Sequence, residues 1–412
     1  MLFFLLYFLL HYMEGLPPIG GLSFAQVWKL PLLAGLLVYS VLSLWRKTHF
    51  EKTSYLLSAE YILSPEILVN PIGAIVRISK QLPFALFFGF WRQAFAGKKD
   101  KLEDMLYGLA QFVSLASVIV LLGIVHPMKA DVSAESFGVE GLVYYTCVFG
   151  VPHAASSYFA ASVLVLFNGF LVGRFQSKGS KIFNIVLIAV SLVSVFRAYV
   201  RTGWLMLAVG LLCFIKRGKV TRRQLNTSLL VAVLCVGGIV YLYNTSEAFY
   251  ARLTGKNIYT QTGGKGIDSD GSGRTEFWHN AVENLWTADS PYATLFGQGY
   301  SKVAEDNYRT TGMRVFSHNQ FLDALSQNGI VGLSLLMLFF AFLLIYIRKK
   351  RGKHKRLCMA LFSASVVFAF FQNEMYFDYA VIFSLAVAIL TNEDNEECDN
   401  EPELVETTNI VA

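Results

Sequence analysis

An all-α polytopic membrane protein of about twelve spanning helices, carrying one large and partly helical extracytoplasmic loop, follows from three features of this chain. The first is composition. Of 412 residues, 54% are hydrophobic and only 16% charged, with a mean hydropathy of +0.47, too few charges to cover a soluble domain of this size. The second is the set of long apolar runs, Met105–Val125, Ser157–Val172, Ile182–Val195, Leu225–Leu242, Ile330–Ile347 and the shorter Tyr379–Leu390. These approach the roughly 20 residues that cross about 30 Å of hydrocarbon. Lipid offers no water to backbone N–H and C=O groups, so such runs are helices.

The third feature is the spacing of positive charge. Lys and Arg gather in alternate loops, at Arg46/Lys47/Lys52, Arg92/Lys98/Lys99/Lys101, Arg174/Lys178/Lys181, Lys216/Arg217/Lys219/Arg222/Arg223 and Arg348 to Arg356. Short loops enriched in this way stay in the cytoplasm. Between successive clusters lies enough apolar chain for two crossings, which yields the helix count and puts both chain ends inside. Residues 54–96 are the least regular stretch, interrupted by Glu60, Glu66, Arg77 and Lys80. The opening MLFFLLYFLLHY has neither a basic start nor a small-residue cleavage site and reads as a retained first helix. Cys147, Cys213, Cys235, Cys358 and Cys398 show no metal-binding or redox spacing, and neither a metal nor an organic cofactor is expected.

This topology divides the chain into membrane helices over 1–242, a loop over 243–328, the last membrane helices over 329–391 and an acidic tail over 392–412. The tail, NEDNEECDNEPELVE, reads as a solvated, disordered cytoplasmic end. The loop is far longer than the roughly 15 residues beyond which structureless connections become uncommon. It contains Phe277, Trp278, Leu285 and Trp286, so it should fold. Apolar residues at 277, 278, 281, 282 and 285 share one helical face, and Ser272 would cap that helix with Arg274 in its first turn. Ser317-His318-Asn319-Gln320 fits a capping box, which puts His318 at the first helical position. Gly329 stands where that helix should end.

Cations on the outer side do nothing for orientation, so Arg197, Arg201 and Arg274 call for another reason. A helix N-terminus offers free N–H groups and a positive dipole end, and an arginine fork there suits phosphate oxygens. His318 at such an end should have a low pKa and stay neutral, ready to accept a proton from a hydroxyl. Arginines on a diphosphate leaving group and a histidine base together describe displacement at the carbon bearing the phosphate. The matching substrate is a lipid-linked sugar diphosphate. Glu374 and Asp378, at the outer ends of the last helices, are candidates to orient the imidazole.

Blander readings compete. A single arginine at a helix end often snorkels to headgroups, and Trp278 and Trp286 suit packing or interface anchoring better than sugar platforms. Asp268-Ser-Asp-Gly-Ser-Gly imitates the start of a calcium loop, but its twelfth position is His279 rather than Glu.

Arg201-Thr-Gly-Trp, Gly273-Arg274-Thr-Glu-Phe-Trp, Leu295-Phe-Gly-Gln-Gly and Ser317-His318-Asn319-Gln-Phe-Leu running to Gly329-Ile-Val-Gly resemble the O-antigen ligase / O-antigen polymerase superfamily. The resemblance covers about 196–347. It implies a metal-independent inner-membrane glycosyltransferase that takes a glycan from undecaprenyl pyrophosphate on the periplasmic side. By those motifs, Arg201 and Arg274 would bind the diphosphate and His318 would serve the acceptor hydroxyl. Arg197 and Asn319 come along by adjacency. The His-Asn-Gln-Phe-Leu-Asp form looks like the polymerase version, whose acceptor is a second lipid-linked glycan, with a chain-length regulator as a further partner. A ligase acting on the lipid A core shares the donor chemistry, as does a protein O-glycosyltransferase. A flippase or exporter would instead need ionisable groups near mid-membrane and repeat symmetry, which the nearly apolar mid-helix positions do not favour.

Overall fold

The computed structural model describes residues 2–19, 23–58, 64–126, 132–133, 143–215, 274–288, 290–312, 314, 316–372 and 377–400, with scattered positions between 233 and 245. The run at 225–242, the calcium-like motif before Arg274, and Glu374 fall wholly or largely outside the described residues.

The described chain is a helical bundle. In order, its helices are α1 (Leu2–Tyr12), α2 (Phe24–Leu42), α3 (His49–Ser58), α4 (Glu66–Val69), α5 (Pro71–Gln81), α6 (Pro83–Ala94), α7 (Lys99–Leu121), α8 (Pro152–Leu171), α9 (Lys178–Arg197) and α10 (Arg201–Leu212). After the undescribed stretch come α11 (Arg274–Trp286), α12 (Pro291–Phe296), α13 (Tyr300–Thr311), α14 (Gln320–Lys349), α15 (Lys355–Phe371) and α16 (Phe377–Asn400). Among the described residues the one strand pair is two residues a side, Val132–Ser133 (β1) against Val143–Tyr144 (β2).

Five described helices (α2, α7, α8, α9 and α14) are long and apolar enough to cross a membrane, or six if α5 and α6, bent by 49°, form one span. That is fewer than the expected twelve. Physical reasons account for part of the difference. Helix α15 has only 17 residues, α16 leaves the apolar register for acidic residues at its C-terminal end, and α1 is 11 residues long.

Helices α8 and α16 form the centre. Nearly every residue of α8 is buried, and its Ala154, Ala155, Ser156, Ser157, Ala160 and Ala161 let neighbours approach closely. Helix α16 lies along α6 and α7, and α10 lies along α15 and α8. Around them, α9 and α14 turn apolar residues outward, among them Phe183, Val186, Val193, Leu338 and Phe342. Exposed apolar rows on otherwise well-packed helices are what lipid-facing surfaces require. Helices α7 and α9 run parallel and are zipped by Gln111 to Asn184 at 2.9 Å, Ser191 to Ser114 at 2.7 Å and Ser117 to Ser194 at 2.6 Å.

The chain beyond Asn392 does not begin as a solvated tail. Helix α16 continues to Asn400, and its acids meet the basic ends of other helices. Asp394 accepts from Lys350 Nζ at 2.9 Å and from the Arg351 N–H at 2.7 Å. Glu393 accepts from His354 Nδ1 at 2.8 Å, and His354 Nε2 takes a hydrogen bond from Tyr107 Oη at 3.1 Å. Glu396 pairs with Lys99. A run of acids read locally as solvated is thus neutralised by the basic loops that orient the bundle. Residues 401–412 lie outside the described residues.

Candidate functional site

At the opposite end of the bundle, three segments meet. The first is the α9–α10 hairpin. Tyr199 takes a left-handed conformation (φ 51°) at the turn, and Trp204 Nε1 donates to the Val195 carbonyl at 3.1 Å, closing it. A Cβ on Gly203 would lie 1.7 Å from Ser156 Oγ. Only glycine lets α10 approach α8 this closely. That contact seats the first turn of α10, and with it the exposed Arg201, against the first turn of α8, which carries His153. Arg197, also exposed, places its guanidinium 5.5 Å from the Tyr145 ring centre.

The second segment is α11. Arg274 is the first described residue of this helix, and Ser272 lies outside the described residues. Phe277 and Ala281 are buried. Trp278 sits edge-on to Phe370, and its Nε1 donates to the Ser317 carbonyl at 2.8 Å. Trp278 is therefore a packing residue that pins α11 to the turn holding His318, whereas Trp286 is 80% exposed.

The third is the turn into α14, which differs from the capping box expected at Ser317. Asn319 is the N-cap, its Oδ1 accepting from the N–H groups of Phe321 at 3.0 Å and Leu322 at 3.2 Å. Ser317 is captured earlier, its hydroxyl donating to Asp323 Oδ1 at 2.7 Å and its N–H to the same oxygen at 3.1 Å. His318 sits before the helix rather than in it, at φ 52°. Gln320, expected to complete the box, instead reaches Gln81 of α5 at 3.1 Å.

The glycines of the Leu295-Phe-Gly-Gln-Gly stretch explain how this turn is held. Gly329 breaks α14 with φ 68° and ψ −166°, so the carbonyls of Ser326 and Gln327 lose their helical partners. The N–H of Gln298 bonds the first at 3.1 Å and that of Gly299 bonds the second at 3.0 Å. A Cβ on Gly297 would stand 2.2 Å from the Gln327 backbone, and one on Gly329 2.3 Å from the Leu295 carbonyl. Gly329→Ala therefore meets both a clash and a conformation that costs about 1–3 kcal/mol in itself. Its thermal midpoint in detergent should fall by several degrees.

His318 is half-buried, and its Nδ1 is shielded from solvent with no hydrogen-bond partner. Its pKa is lowered to about 4, first by burial and then by the positive field of Arg274, against a hydrogen bond with Gln372 that raises it. The low value expected from a helix dipole thus has other causes. Gln372, the residue after α15, bridges two histidines, since its Nε2 also lies 2.9 Å from His153 Nδ1. With the amide nitrogen on His153, the amide oxygen is the atom left to accept from the His318 ring. Neither Gln372 nor His153 stood out in the sequence, because polar residues at helix ends carry no motif.

Asp378 does not orient His318. It is buried and bonded to His11 Nε2 at 2.8 Å, with His11 Nδ1 3.0 Å from Glu14. The orienting group at His318 is an amide. The structure thus brings Arg274, His318 and Gln372 into one site, with Asn319 beside them as the cap. It links Arg201 to that site through α8.

A bundle with lipid-facing helices thus carries a half-buried imidazole in the positive field of an arginine. The O-antigen ligase family profile matches residues 183–337, which contain Arg197, Arg201, Arg274, His318 and Asn319. The match spans somewhat more than a third of the chain, and that part is similar to the O-antigen ligase / polymerase superfamily of membrane glycosyltransferase-like proteins. That likeness supports a function of the ligase/polymerase type in general. No curated protein matches the chain.

Proposed function

We propose that this protein transfers a glycan from undecaprenyl pyrophosphate to a hydroxyl acceptor at the periplasmic face of the inner membrane. The observation that carries the reading is the pairing of Arg274 with a neutral, amide-anchored His318. Arg274 and Arg201, helped by Arg197, neutralise the diphosphate, and guanidinium groups rather than a metal ion supply the positive charge. The acceptor oxygen bonds to the anomeric carbon, the carbon–oxygen bond to diphosphate breaks, and the hydroxyl proton passes to the unpartnered nitrogen of His318. Such displacements pass through an oxocarbenium-like state, in which the attacking hydroxyl grows acidic, so that a weak base suffices. Gln372 holds the ring, and Asn319 fixes the helix start behind it.

The acceptor is most simply a second lipid-linked glycan, which makes the protein a surface-polysaccharide polymerase working with a chain-length regulator. A ligase that uses the lipid A core as acceptor shares every step on the donor side, and the matched profile carries the ligase description. Purified protein mixed with lipid-linked repeat units should yield a ladder of longer products without any core lipid. Transfer seen only when lipid A core is added would make the protein a ligase. Movement of lipid-linked saccharide across liposomes with no new glycosidic bond would refute both.

A further inference from the structure

Beside the site lies a cavity of about 220 Å³ bounded by α2, α5, the start of α6, α8 and the start of α16. We infer that it holds the phosphate-bearing head of the acceptor lipid, in a site separate from the arginines that take the donor diphosphate. This inference rests on the donor reading given above.

The chemistry of the walls points to an anionic amphiphile. Lys29, Lys80 and Gln26 present donors, while Leu30 and Leu33 are apolar and Ser79 gives its hydroxyl proton to the Val76 carbonyl at 2.7 Å. Lys29 is held in place by Glu14 at 2.8 Å and by the rings of Trp28 at 4.9 Å and Phe377 at 5.4 Å. Lys80 is exposed at the rim. The space is below the roughly 300–1,000 Å³ of sites that enclose drug-sized ligands, so it suits a head group and its first carbons rather than a glycan. Lysine ammoniums are compact point charges, whereas arginine forks grip phosphate oxygens in pairs. That division suits one phosphate that is only held and another that departs.

The position fits a lipid arriving from the bilayer. Leu68 and Val69 on α4 and Ile72 and Ile75 on α5 are 83%, 77%, 73% and 59% exposed, an outward apolar row on two successive helices. Val76, Ser79 and Lys80 of the same helix line the cavity just before the α5–α6 bend. An anchor lying against the row reaches the cavity around α5 without crossing the bundle.

Three walls lead back to the imidazole. Gln81, next to Lys80, accepts from Gln320, two residues past His318. Phe377 follows Gln372 by five residues, and Tyr158 follows His153 by five. An acceptor anchored at the lysines would thus carry its sugar towards His318. A transferase with two lipid-linked substrates needs two anion sites, and the lysine cavity supplies the second.

The test uses the full chain in phosphatidylcholine nanodiscs, with undecaprenyl phosphate, lipid A and phosphatidylglycerol as probes scored by native mass spectrometry. Lys80→Glu should weaken retention of the acceptor lipid on the order of tenfold, the loss of one charge-assisted contact. It should raise the acceptor KM by a similar factor and leave the donor KM and the kcat at saturating acceptor unchanged. Ser79→Phe, which fills the space, should do the same. Retention of undecaprenyl phosphate marks a polymerase-type acceptor and retention of lipid A a ligase-type one, and either supports the inference. An unchanged acceptor KM in Lys80→Glu overturns it. So does phosphatidylglycerol binding as tightly as both probes, with the same loss in the variant. If Arg274→Ala keeps full turnover while Lys80→Glu still raises the acceptor KM, the donor assignment fails and the acceptor site stands.

Discussion

His318→Ala is expected to lower turnover by roughly 10²–10⁴-fold, the usual span for a general base, with little change in donor binding. His318→Gln should lose as much, because an amide cannot take the proton. Full turnover in either variant would end the proposed mechanism. The pH profile gives a sharper check. In the free protein the imidazole is depressed to about 4 by burial and by Arg274, and the neutral form is the active one. Activity read as kcat/KM should therefore be level through the neutral range and fall only as pH drops through that value. A bound diphosphate sets negative charge beside the ring and offsets Arg274, which favours the imidazolium. The acid limb of kcat, which reports the bound complex, should accordingly lie at higher pH than that of kcat/KM. Coincident limbs, or limbs that persist in His318→Gln, would assign the titration to another group.

Arg274→Ala should reduce kcat by on the order of 10²–10³-fold, the effect of removing one donor from a developing anion. Arg274→Lys keeps the charge but loses the fork, so it should recover only part of the activity. The alanine variant has a second signature. With the neighbouring cation gone, the His318 pKa rises, because the charged ring is no longer repelled. The acid limb of kcat/KM should move up in pH in Arg274→Ala and stay near its original place in Arg274→Lys. A stable, correctly folded Arg274→Ala protein with an unmoved limb would separate the two residues that the site joins.

Much of this was readable before any coordinates. Periodic apolar residues put 277–285 on one helical face because Phe277 and Ala281 needed a core to face, and both are buried. Gly329 was legible as a stop because glycine alone tolerates its backbone angles. The turn at His318 was misread by two residues. Ser317 and Asn319 are both good caps, and the choice was made by Asp323, which takes the serine's hydroxyl and N–H. A local pattern does not show which of two donors a third residue captures. Long-range partners were invisible for the same reason. Asp378 looked available to His318, but His11, 367 positions away, occupies it. The acids after Asn392 looked solvated until folding brought Lys350, Arg351 and His354 against them.

The clasp between the Gly297–Gly299 backbone and the broken helix of α14 has a bearing on how such proteins diversify. Everything between that clasp and Ser317, including α13, is tethered independently at each end. The middle of that stretch is tied as well, Asn280 of α11 donating to Asn307 at 3.2 Å and to Thr310 at 2.7 Å, so an insertion over 303–314 should disturb α11 and, through Trp278, the turn that holds His318.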